Sequence, residues 1–125
     1  MKPFALVLIL ILCFAPEASA APLATAHLSL AQAALDLAVD KLVLGPNDPI
    51  GASYQLDGVR VELAAAGETL DDPEALREIR ALRIQATEIS EVIGKRQAKA
   101  LPLLARLSRS LELLRRDLFT RKGIS

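Results

Sequence analysis

Apolar residues recur along most of this 125-residue chain at alternating steps of four and three, and that spacing restricts the fold more than any other feature. One series is Ala24, Leu28, Ala31, Leu35, Ala38 and Leu42. A second is Ala75, Ile79, Leu82, Ala86, Ile89 and Ile93, and a third is Leu104, Leu107, Leu111, Leu114 and Leu118. Side chains so spaced fall along one stripe of an α-helix, which needs a neighbour to bury it. Three such stripes predict a mainly α fold, a small antiparallel helical bundle with coiled-coil-like seams. Composition points the same way. Aromatics make up 3% of the chain and Trp is absent, so the core must be Leu, Ile, Val and Ala, a set that suits helices better than strands.

Local signals set the expected boundaries. A first helix runs from about Leu23 to Leu44 and stops at Gly45-Pro46, where Asn47, Asp48, Pro49 and Gly51 continue the break. Another starts at Pro73, with Asp71 or Asp72 as cap and Glu74 near the positive end of the dipole, and stops at Gly94. The last starts near Pro102 and ends near Lys122-Gly123, the alternative being one long helix kinked at Pro102. Residues 53–67 fit two conformations. Tyr54-Gln55-Leu56, Asp57-Gly58 and Val59-Arg60-Val61 read as a hairpin. Leu56, Val59, Leu63 and Ala66 also share one helical face, with Gly67 as stop, and an isolated hairpin is marginal in water. Helix is the favoured reading.

The first twenty residues read differently. Lys2, an apolar run from Phe4 to Ala15 and the small-x-small segment Ala18-Ser19-Ala20 form a secretory signal peptide with cleavage after Ala20. The run is too short to span a bilayer, which takes about 20 apolar residues. Cys13 lies inside it with Leu12, not a small residue, before it, which argues against a lipoprotein site. Residues 21–125 then form a single helical domain without cysteine, exported to the periplasm or beyond, and held by packing rather than disulfides.

No residue pattern carries recognisable chemistry. His27 is the sole histidine and has no cysteine in the exported domain to join it in a metal site. Asp36 and Asp40, one turn apart, read as a solvated edge, and Asn47-Asp48 lacks the acidic alternation of a calcium loop. There is no Gly-x-Ser-x-Gly elbow and no phosphate-cradling glycine loop. Catalytic, cofactor and metal residues are therefore expected to be none. Arg77, Arg80 and Arg83 could serve a small all-helical enzyme on an anionic metabolite, but their alternation with Glu74, Glu78 and Glu88 reads as a solvent-exposed face.

Charge is segregated. Residues 21–91 hold five basic and twelve acidic residues, whereas residues 92–125 hold nine basic residues against Glu112 and Asp117. The last helix is thus a basic amphipathic one, and Arg106, Arg109, Arg115 and Arg116 are the candidate partner-binding residues. These charges could instead balance acidic residues inside one monomer. Leu30, Leu37, Val39, Ile84 and Leu113 lie off the seams, and the first helix is apolar on too many sides for three helices alone. Residues 50–67 or a second subunit would cover it. The resulting expectation is an exported, non-enzymatic interaction module that works through helix faces, with a protein partner or self-association. The alternatives are the anionic-metabolite enzyme and a peripheral membrane-surface protein. Nucleic acid is not expected, because no aromatic residues interleave the basic ones.

Overall fold

A computed structural model describes residues 16–44 and 47–124, with side-chain surroundings defined for 22–44 and 47–120. Among the described residues the chain forms four helices and no strand: α1 (Pro16–Val43), α2 (Pro49–Glu68), α3 (Pro73–Lys95) and α4 (Gln97–Ile124). Each packs on two others in a closed ring, α1 on α2 and α4, and α3 on α2 and α4. Residues 1–15, most of the expected signal segment, lie outside the described residues, and residues 16–20 open α1.

The hairpin alternative for 53–67 is overturned, and α2 is longer than the helix reading required. Asp48 caps it by accepting a hydrogen bond from the Gly51 amide at 2.9 Å, and Pro49 occupies the first turn, where its missing N–H costs nothing. Gly67 does not stop α2. The Thr69 hydroxyl and amide both donate to the Ala66 carbonyl, at 2.8 and 3.1 Å, and close the helix after Glu68. The start of α3 is as expected, with Asp72 accepting from the Glu74 amide at 3.1 Å ahead of Pro73. Gly94 lies within the helix rather than ending it.

The break between α3 and α4 falls at Arg96, whose φ of −142° is not helical. Helix α4 begins at Gln97, one turn before the expected start, and Pro102 lies inside it. Pro102 cannot donate to the carbonyl of Ala98. The gain is Ala100, fully buried four residues before Leu104, which extends the seam by one position.

Each helix contributes six buried positions at steps of four, three, four, three and four, with Leu70 just past the end of α2 completing that helix's series. Cross-helix neighbours fix the register. A Cβ on Gly58 would meet Ala34 at 3.8 Å, one on Gly67 would meet Ile79 at 3.8 Å, and Gln32 reaches Ser108 at 2.6 Å. Second contacts at His27–Glu62, Arg60–Thr87 and Ser29–Arg115, and the joint lining of one groove by Glu78 to Gln85 and Ser110 to Asp117, make neighbouring helices antiparallel, and this register groups the buried residues into six layers. Ala31, Leu63, Leu82 and Leu111 form one layer, and Leu35, Val59, Ala86 and Leu107 the next. Every layer holds at least one alanine against larger side chains, so large and small residues alternate around the core, which lets it fill without voids. No polar or charged residue is buried as a whole among the described residues, although the Gln32 Oε1 atom is.

Candidate functional site

With an apolar interior, any polar chemistry lies on the outside. Three positions on one side of α4, Arg106, Leu113 and Thr120, repeat every seven residues, while Arg109 and Arg116 do so on its outermost line. All five are exposed. The helix folds this way because its leucine seam, Leu104 to Leu118, turns inward and leaves these lines pointing away.

The four sequence-predicted arginines separate into three situations. Arg106 and Arg109 have no carboxylate within ion-pair distance among the described residues. Arg116 pairs with Glu112 at 3.2 Å, one turn earlier on its own helix. Arg115 is half-buried and leans toward α1, with Nη1 at 3.5 Å from the Ser29 hydroxyl, so it stands apart from the outer cluster. Other residues make the polar contacts that cross between α1 and α2: His27 Nδ1 lies in hydrogen-bond contact with Glu62 Oε2 at 2.7 Å, and Lys41 pairs with Asp48 at 4.0 Å.

Beside Arg106 runs an open groove of about 420 Å³ between α3 and α4. Its floor is Ala81, Leu82, Leu113 and Leu114, and its rim includes Glu78, Gln85 and Asp117. Leu82 and Leu114 belong to the core, so the groove reaches the seam. The groove's own charged rim is acidic, Glu78 and Asp117, and the unpaired Arg106 lies one turn before its Ser110 wall on α4.

A second cluster was hidden from sequence reasoning. Arg60 of α2 and Arg80 and Arg83 of α3 line a groove of about 480 Å³ with Val61, Ile84 and Thr87. Arg60 is committed, since it pairs with Asp57 and donates to the Thr87 hydroxyl at 3.1 Å. Arg80 and Arg83 make no ion pair among the described residues. The spacing of Arg80, Arg83 and Ile84 was visible, but Arg60 joins them only because 49–68 is a helix packed on α3.

Among the described residues no three His, Cys, Asp or Glu side chains gather at metal-binding distance, and no helix is long and apolar enough to cross a membrane. No protein-family model, curated protein or solved structure matches this chain.

Proposed function

We propose that this protein is an exported helical-bundle interaction module of the periplasm that binds an acidic protein partner along its α3/α4 edge. Export rests on the signal-type residues 1–20. Cleavage after Ala20 would leave Ala21 three residues ahead of Ala24, the first core residue, so processing and the bundle are compatible. One observation supports the binding reading: Arg106 and Arg109 are exposed on α4 with no carboxylate in ion-pair distance among the described residues, on the helix that forms one wall of the open α3/α4 groove. Charges that served only to hold the monomer together would be expected to face carboxylates on α1, α2 or α3. A desolvated carboxylate from a partner would find both guanidinium groups ready to donate.

Capture from the protein's own compartment tests this. Wild type should retain a partner with an acidic surface, and Arg109→Ala/Arg116→Ala should lose it while its melting curve is unchanged. Equal capture by both proteins would remove the arginine face from the account.

A further inference from the structure

Helix α1 carries a second seam on its outer side. Leu23, Ala26, Leu30, Ala33, Leu37, Asp40 and Leu44 alternate at steps of three and four, and every one of them is exposed. The four leucines, seven residues apart, are 51%, 54%, 48% and 64% exposed in chain order. Apart from Asp40, this is the leucine–alanine alternation of the inner seam, Ala24 to Leu42, repeated on the opposite face of the same helix. Helix α2 packs beside this stripe without covering it. The register places Gly51, Gly58 and Ala65 level with Leu44, Leu37 and Leu30, and residues so small leave the leucines bare. Tyr54 of α2 is likewise 74% exposed. A helix apolar on both sides is expected to be buried on both.

We infer that this face is a self-association surface, on which α1 of a second copy lies antiparallel to pair the two outer seams. The occupant follows from three observations. First, inside the bundle α1 meets α2 antiparallel with Leu28 level with Ala66 and Ala31 level with Leu63, leucine over alanine. The outer seam offers the same complementarity to itself, because an antiparallel copy sets Leu30 over Ala33 and Leu37 over Ala26 of the other chain. Second, the single seam charge selects the direction. Parallel pairing would place Asp40 against its own counterpart, whereas antiparallel pairing sets it opposite Leu23 at the wet end. Third, the area suffices. In that register the two stripes overlap from Leu23 to Asp40, about 25 Å at about 1.5 Å per residue, and two adjacent helices are about 20 Å wide. That is roughly 500 Å² per copy, which brings the total to about 1,000 Å², the threshold for a specific interface.

The surface is separate from the arginine face, so the two readings fail independently. The chain is prepared with Cys13→Ser, so that introduced thiols stand alone, and its mass in solution is measured by sedimentation. Twice the chain mass is expected. Leu37→Glu should weaken the dimer by at least about thirtyfold with helix content unchanged, and Arg109→Ala/Arg116→Ala should leave it intact. For direction, Leu30→Cys and Ala33→Cys chains are mixed and oxidised. A disulfide between unlike chains, with neither variant cross-linking to itself, is the expected result. Self-cross-linking of each variant would overturn the antiparallel pairing. A monomer, a monomer that sediments with anionic vesicles, or a dimer indifferent to Leu37→Glu would overturn the interface.

Discussion

Gly58 of α2 faces Ala34 of α1 so closely that a Cβ on Gly58 would sit 3.8 Å from the Ala34 methyl. That distance is ordinary van der Waals contact, so the position has room for one methyl and little more. Gly58→Ala should therefore stabilise the protein by about 0.5–1 kcal/mol, through the helix-interior entropy that glycine loses on folding. Gly58→Leu should destabilise it by about 1–3 kcal/mol by overpacking the α1/α2 contact. Denaturant melts of the two variants check the sign of each.

The α1/α4 contact contains a partly buried polar link between those helices. Gln32 Nε2 donates to the Ser108 hydroxyl at 2.6 Å, and Gln32 Oε1 is buried with no partner. Ser108→Ala should cost about 1–3 kcal/mol, because the whole amide is then unsatisfied. Adding Gln32→Leu should recover most of that loss, since an apolar pair leaves nothing to satisfy. Additive losses in the double variant would mean that the amide is solvated.

Orientation of α4 has its own test. Leu111 is fully buried in a middle layer and Arg109 is exposed on the outermost line. Leu111→Ala should cost about 2–5 kcal/mol, and Arg109→Ala about 0.5 kcal/mol or less. Equal sensitivity would mean that the helix is rotated.

At the start of α2, Asp48→Ala should cost about 1 kcal/mol by leaving the Gly51 amide without its acceptor. Gly51→Ala should show a similar loss, because a Cβ there would overlap the Asp48 carboxylate and expel it from the cap. A double variant no worse than either single one would confirm the shared cause.

Much of this architecture is legible in the sequence, and the gaps have identifiable physical sources. The inner seams of α1 and α3 are given completely by their spacing, since burial on one face imposes the period. Helix α2 is ambiguous because Asp57-Gly58 has the chemistry of a tight turn. It is helical because the face from Ala52 to Leu70 is buried in the core, a benefit that exists only once α1 and α3 are in place. The start of α4 is misread because Pro102 looks like a first-turn residue, while the burial of Ala100 depends on the other three helices. The arginine candidates could be named but not sorted. Whether Arg115 leans on Ser29 and Arg106 stands free depends on which neighbour each side of α4 faces. The outer leucine stripe is legible only as an excess of apolar surface on the first helix, with α2 as one of its two expected covers. That cover is incomplete because the α2 residues level with the stripe are glycine and alanine.

An interaction module that works through its unpaired arginines has a direct test in the salt dependence of binding. The captured partner is titrated into wild type and into Arg106→Gln/Arg109→Gln at low and high ionic strength. The account predicts wild-type affinity that falls as salt rises, together with a variant that folds normally, binds more weakly and has a shallower salt dependence. Binding by the variant that matches wild type at every salt concentration would contradict it.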